Sequence, residues 1–153
     1  METRNMKKRP IHIKAVLFRL EPTSALLAVS RYLASKDLRR GIISRSDINT
    51  VRQNLSNCGF VNEDEMDVII SRPDIMKNKA DANLIQTAAQ KMNVAVDNVL
   101  FISPHPSEVL TAQQIGAITA WMRTEQTADP AASAGDFEIE DIADIKDVVD
   151  MGV

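Results

Sequence analysis

One stretch of the sequence, residues 11–23, constrains the fold more than any other. Its apolar residues form an almost unbroken run over 13–18 (IKAVLF), which is typical of a central strand that is covered on both faces of a sheet. The run ends in RLEPT (residues 19–23), where Pro22 cannot donate a ladder hydrogen bond. We therefore expect a central strand whose carboxyl end opens into a charged loop.

Further strand-like segments follow, and segments with helical periodicity separate them. The predicted strands lie at residues 38–44, 66–71, 99–102, 117–122 and 137–139. The predicted helices run from Thr23 or Ser24 to about Lys36, from Ser46 or Asp47 to Gly59, from Asp81 or Asn83 to Met92, from Pro106 to Gly116, and from Asp141 to Val149. No two-residue hairpin signal joins the strands, which favours parallel βαβ units. The predicted fold class is α/β, with a doubly wound, three-layer α/β/α arrangement and a five- to six-stranded, mainly parallel sheet.

Length and composition exclude several classes of protein. The 153 residues fit one domain, and we expect a flexible N-terminus over residues 1–10 and a single domain over 11–153. Lys and Arg total 18 against 21 Asp and Glu, a net charge of −3, which argues against a nucleic-acid partner. A single cysteine excludes a disulfide framework and suits the cytoplasm. No apolar run approaches the roughly 20 residues of a membrane span, so we expect no membrane partner.

Polar side chains follow the predicted strands at the edge of the sheet where ligands bind in open α/β folds. We call this edge the carboxyl rim. Its predicted members are Arg19, Glu21 and Thr23 after the first strand, Ser44 and Arg45 after the second, Lys79 before the third helix, and residues 103–108 (SPHPSE) after the fourth strand. With five glycines in the chain, neither G-x-G-x-x-G nor the Walker loop occurs, so the rim is not a nucleotide site of those kinds.

The order and spacing of these segments resemble the haloacid dehalogenase superfamily. That family has a first strand ending in D-x-D-G-T, matched here by RLEPT, and a second strand ending in Ser or Thr, matched by Ser44. It then has a lysine that opens a helix, matched best by Lys79 and less well by Lys77, and G-D-x-x-x-D, matched by SPHPSE. The resemblance covers Ile11 to Val149 and implies a Rossmann-like core. Only one helix fits between Thr23 and Ser44, so we expect no cap domain.

The resemblance also implies that the family's chemistry is lost. In the family, the first aspartate attacks phosphorus, the second acts as general acid and base, and aspartates of the first and fourth motifs hold magnesium. Here Arg19 takes the nucleophile position, Glu21 takes the general-acid position, and Pro104 replaces a metal ligand, which leaves Glu108 as the remnant of the magnesium site. We expect no cofactor, and a pseudoenzyme that serves as a binding, regulatory or scaffold protein. The alternative is a phosphohydrolase or phosphotransferase that acts through remodelled chemistry at the same site.

Two hypotheses remain for Arg19. It forms a salt bridge with Glu21 or Glu108 that fills the former pocket, and a surface pair of that kind would contribute only about 0–1 kcal/mol. Alternatively, its planar guanidinium binds an oxyanion such as phosphate. The predicted anion-binding residues are Arg19, Thr23, Ser44, Arg45 and Lys79. A protein partner or a homo-oligomer is compatible with the sequence as well.

Overall fold

The computed structural model describes residues 2–3, 11–61, 65–71, 81–123 and 135–152. The strands are β1 (Glu2–Thr3), β2 (Ala15–Phe18), β3 (Arg39–Ile43), β4 (Val68–Ile70), β5 (Val99–Ser103), β6 (Ile118–Met122) and β7 (Phe137–Ile139). The α-helices are α1 (Ser24–Ser35), α2 (Ile48–Asn57), α3 (Asp81–Met92), α4 (Pro106–Gln114) and α5 (Ile145–Gly152). Short 3₁₀ turns lie at Val96–Asn98 and Ile142–Asp144. The strands form one sheet in the order β1-β7-β6-β5-β2-β3-β4.

The helices pack in two layers around the sheet. One hydrophobic cluster joins Val16 and Phe18 of β2 to residues of α1, α2 and α5. The other joins Ala15 and Leu17 to residues of α3 and α4. All four side chains of β2 are fully buried, because successive side chains of a central strand point to opposite covered faces. The predicted α/β/α class and the central position of this strand are confirmed.

The sheet differs from the prediction at one edge. Every pair of neighbouring strands is parallel except β1 with β7, which pair antiparallel with Thr3 opposite Phe137. The six parallel strands confirm the predicted five- to six-stranded, mainly parallel sheet, and β1 adds a two-residue antiparallel pairing that the sequence did not predict. The flexible terminus over residues 1–10 stays a prediction. The pairing of Glu2 and Thr3 satisfies backbone groups that β7 would otherwise present at an open edge. Residues 4–10 lie outside the described part of the chain.

The last helix closes the sheet face that carries α1. The backbone amide of Ile13 donates to the carbonyl of Gly152 at 2.8 Å. A Cβ at Gly152 would lie 2.6 Å from Cδ1 of Ile13, so any larger residue would require the Ile13 side chain to move. None of the described helices has the length and apolar character needed to cross a membrane.

The parallel register aligns the ends of three central strands at the carboxyl rim. Phe18 lies opposite both Ile42 of β3 and Ile102 of β5. The residues that follow Phe18, Ile42 and Ile102 therefore lie at the same level of the sheet. The pairing continues by one residue on β2, because the amide of Arg19 donates to the carbonyl of Ile102 at 2.8 Å. The connection from β2 to β3 contains α1 and no other helix or strand, so no cap domain is inserted there.

Candidate functional site

Arg19 forms a buried ion pair at the centre of the carboxyl rim. Its Nε lies 3.3 Å from Oε2 of Glu108, and the two side chains are 8% and 6% exposed. Of the two partners that the sequence allowed, Glu108 is therefore the one that pairs with Arg19. The pair is therefore not the surface pair that the sequence suggested, because both side chains are more than nine-tenths buried. Loss of one partner of such a pair leaves an uncompensated buried charge.

The other oxygen of Glu108 is held by Ser103, the last residue of β5. The Ser103 hydroxyl donates to Oε1 of Glu108 at 2.6 Å and accepts from the backbone amide of His105 at 3.0 Å. The sequence places Ser103 in the predicted loop but does not predict a role for it. Its role could have been suspected because a serine stands where the resembled motif has glycine.

Arg45 approaches the same carboxylate from the solvent side. Its Nη2 lies 3.9 Å from Oε2 of Glu108, and its side chain is 74% exposed. The predicted residues Arg19 and Arg45 thus meet at a single carboxylate oxygen, whose negative charge lies between them. His105 is exposed at the N-cap of α4 and makes no side-chain capping hydrogen bond.

Ser44 and Glu21 form a second contact at the rim. The Ser44 hydroxyl lies 3.0 Å from both carboxylate oxygens of Glu21, and it accepts from the amide of Ser46 at 3.2 Å. Ser44 is fully buried, whereas Glu21 is exposed. The hydrogen of the Ser44 hydroxyl is therefore directed at the Glu21 carboxylate, and this contact orients the carboxylate.

The structure places Thr23 at the rim but does not describe Lys79. Thr23 is the N-cap of α1, its side chain is exposed, and its hydroxyl makes no capping hydrogen bond. Lys77 and Lys79 lie outside the described residues. The role predicted for Lys79 stays a prediction.

The donor set of the rim does not fit a magnesium ion. Magnesium requires near-octahedral oxygen coordination, commonly from one or two carboxylates and water. Here Glu108 faces two guanidinium groups, Glu21 is bound by Ser44, and Pro104 offers no side-chain ligand. Within the described ranges, His, Cys, Asp and Glu side chains form no group of three that could hold a metal.

A small cavity lies beside the ion pair. Its lining consists of Arg19 and Glu108 together with the apolar side chains of Ile43, Leu84, Ile85 and Phe101. The volume is about 10 Å³, which is enough for one water molecule. A tetrahedral oxyanion does not fit into this space while Glu108 keeps its position.

The comparisons with known proteins agree with this fold. The model of the haloacid dehalogenase-like hydrolase family matches residues 4–122. Among solved structures, a dehalogenase with an intermediate complex has 16% identity and a TM-score of 0.69, over 86% of this chain and 57% of that one. A HAD phosphatase from Thermococcus onnurineus has 18% identity and a TM-score of 0.66, over 80% and 55%.

A third structure matches along almost its whole length. It is the core domain of a proposed phosphoglycolate phosphatase from Streptococcus pneumoniae, with 15% identity and a TM-score of 0.66, over 93% of this chain and 98% of that one. The chain thus spans just over half of the first two structures and nearly all of an isolated core domain. Identities of this size show the fold alone. No protein of curated function matches this sequence significantly.

Proposed function

The chain belongs to the haloacid dehalogenase-like hydrolase family, and from this premise we propose that it is a non-catalytic member that acts by binding, as a regulatory or scaffold protein. By the resemblance of RLEPT to the first family motif, Arg19 stands at the nucleophile position. A guanidinium is protonated at any working pH and has no electron pair to offer. The family's reaction therefore has no first step in this chain.

The buried pair of Arg19 with Glu108 is the observation that carries the proposal. It joins the residue at the nucleophile position to the remnant of the metal site, at 3.3 Å and with both side chains more than nine-tenths buried. Each group compensates the charge of the other. A carboxylate held in this way is a poor ligand for a cation, because Ser103, Arg19 and Arg45 already contact its oxygens.

An oxyanion such as phosphate is the proposed ligand of the carboxyl rim. Support comes from the position of two arginines, Arg19 and Arg45, on one carboxylate oxygen and from the hydroxyl of Thr23 at the exposed start of α1. The sequence adds Lys79. Binding of this kind would require no magnesium. The oxyanion could equally belong to a protein partner or to a second copy of the chain that binds at the carboxyl rim.

A hydrolysis assay tests the non-catalytic role. We expect no turnover of p-nitrophenyl phosphate with magnesium, and we expect Arg19→Asp to stay inactive as well, because Pro104 still withholds a metal ligand. Glu21→Gln serves as the matched control, since it keeps the size of the side chain and removes its charge. Activity that is present in the wild-type protein and absent from Glu21→Gln would overturn the proposal.

One observation favours the alternative of a remodelled phosphohydrolase or phosphotransferase. Glu21 stands at the position of the family's general acid, is exposed, and is oriented by the Ser44 hydroxyl. A carboxylate in that place is able to move a proton. The alternative lacks a carboxylate at the family's nucleophile position, where Arg19 stands, so we rank it second. The hydrolysis assay of the wild-type protein and Glu21→Gln decides between the two.

A further inference from the structure

Glu108 already occupies the position that an external anion would take between the two arginines of the rim. Its Oε2 lies 3.3 Å from Nε of Arg19 and 3.9 Å from Nη2 of Arg45. The carboxylate is 6% exposed and belongs to the first turn of α4. It thus supplies from within the chain the negative charge that phosphate would supply from outside.

Ser103 keeps this carboxylate in place. The hydroxyl accepts from the amide of His105 at 3.0 Å, so its own hydrogen is available for Glu108, to which it donates at 2.6 Å. Ser103 is fully buried at the end of β5, and its hydroxyl therefore has a fixed position. Glu108 is held through Oε1 by a neutral donor and through Oε2 by cations, which fixes one orientation of the carboxylate.

The described residues around Glu108 leave no room for an oxyanion. They line a cavity of about 10 Å³, space for one water molecule, and those of them other than the ion pair are apolar. A phosphate that approached the arginines would also meet the negative charge of Glu108 at close range, and like charges in a poorly solvated site repel strongly. An external anion must therefore displace the carboxylate before it can reach Arg19.

We propose that Glu108, locked by Ser103, is an internal ligand that keeps the anion site of the carboxyl rim closed. The inference rests on the proposed function, because it concerns the regulation of the same binding site. It assigns Ser103 a positioning role, since Ser103 acts through Glu108 and does not itself contact the anion. Any partner or event that withdraws Glu108 opens the site, so the affinity of the rim for phosphate is set by the release of this one side chain.

A titration with inorganic phosphate, in chelator and without magnesium, tests the proposal. Trp121 is the only tryptophan of the chain, and its Nε1 donates to the carbonyl of Pro104 at 3.1 Å. Its fluorescence therefore reports on the loop that carries Ser103 and His105, and calorimetry provides a second readout. We expect Ser103→Ala and Glu108→Gln to bind phosphate at least about tenfold more tightly than the wild-type protein.

Three controls accompany these variants. Ser35→Ala removes an exposed hydroxyl that donates to a backbone carbonyl, and Glu140→Gln removes an exposed carboxylate. Both should bind phosphate as the wild-type protein does. In Arg19→Met/Glu108→Gln the gain of Glu108→Gln should disappear, because the principal cation is gone. Urea unfolding of every variant confirms that the protein is folded, and Ser103→Ala retains the test if Glu108→Gln is unstable.

The outcomes separate this inference from the function on which it rests. Unchanged phosphate affinity in both Ser103→Ala and Glu108→Gln, with measurable binding by the wild-type protein, would overturn the internal ligand and leave anion binding intact. Absence of phosphate binding in every protein would overturn both. Failure of the non-catalytic role would appear separately, as turnover in the hydrolysis assay.

Discussion

Two buried arginines at opposite ends of the sheet look alike in burial and pairing. At the carboxyl rim, Nε of Arg19 lies 3.3 Å from Glu108, and Arg19 is 7% exposed. Near the amino end of β3, Nε of Arg40 lies 3.3 Å from Asp67, and Arg40 is 8% exposed. The two arginines are alike by these measures, although the Asp67 side chain is 26% exposed against 6% for Glu108. Their hydrogen bonds show that the two sites serve different purposes.

The site around Arg40 includes a hydrogen bond to the backbone. Oδ2 of Asp67 accepts from the backbone amide of Arg40 at 2.8 Å as well as from its Nε. The Asp67 side chain thereby takes the place of a backbone acceptor for β3, one residue before the edge strand β4 begins. The guanidinium also donates through Nη1 to the hydroxyl of Ser30 in α1 at 3.1 Å. We refer to Ser30, Arg31, Arg40, Glu65 and Asp67 as the amino-end cluster.

At the site around Arg19, the described contacts of the Glu108 carboxylate are with side chains only. Within the part of the chain that the structure describes, the Glu108 carboxylate accepts a hydrogen bond from Ser103, forms ion pairs with Arg19 and Arg45, and accepts from no backbone amide. A buried ion pair is by itself weak evidence of stabilisation, since an apolar replacement is often as stable. The comparison indicates that the fold needs the amino-end cluster but does not need the pair at the rim.

The largest expected effect follows from removal of one partner at the rim. Glu108→Ala leaves the buried charge of Arg19 without its carboxylate partner, and we expect a loss of about 3–5 kcal/mol in the free energy of unfolding. Urea unfolding measures it. A loss below about 1 kcal/mol would mean that Arg19 turns out to solvent when its partner is removed.

Paired apolar replacements give the sharpest contrast between the two sites. Arg40→Met/Asp67→Leu should lower the free energy of unfolding by about 1–3 kcal/mol, because the amide of residue 40 loses its acceptor. Arg19→Met/Glu108→Leu should be neutral or stabilising, because it removes both buried charges and strands no backbone group. The two double variants control for each other in urea unfolding. Equal losses would remove the distinction drawn above.

Acid should weaken the amino-end cluster through Glu65. A hydrogen bond from Arg31 and a second from the amide of Val61 hold the pKa of Glu65 below its ordinary value of 4.5. The resulting stabilisation is complete above that ordinary pKa and is lost as the pH falls through the lowered folded-state pKa. Between neutral pH and about pH 3, the wild-type protein should therefore lose more stability than Glu65→Gln. Parallel pH profiles would contradict this.

Added salt should have the smallest effect on stability, and it should affect the exposed Arg31–Glu65 pair but not the buried Arg19–Glu108 pair. Arg31 is 56% exposed where it contacts Glu65, so the stability difference between the wild-type protein and Glu65→Gln should shrink at about 1 M salt, where the Debye length is roughly 3 Å. The difference between the wild-type protein and Glu108→Gln should not change, because that pair is buried. Thermal unfolding at low and high salt makes both comparisons.

The sequence predicts the elements far better than the contacts of the rim. Strand β2 and the inward faces of the helices follow from periodicity, and the structure differs from the predicted bounds by only a few residues at most ends. The choice of Glu108 over Glu21 depends on the direction in which the loop after Arg19 turns, and local pattern does not contain that direction. The hydroxyl of Ser103 is directed by an amide two residues later, and its partner is fixed only when α4 docks.

The bond between Ile13 and Gly152 has a consequence for synthesis on the ribosome. Residues 13 and 152 meet through one backbone hydrogen bond and a close contact of Gly152 with the Ile13 side chain. A nascent chain therefore exposes one apolar face of β2 and α1 until α5 has left the exit tunnel. Folding of this domain is completed after translation of its last helix, and during that interval the exposed face is a binding surface for chaperones.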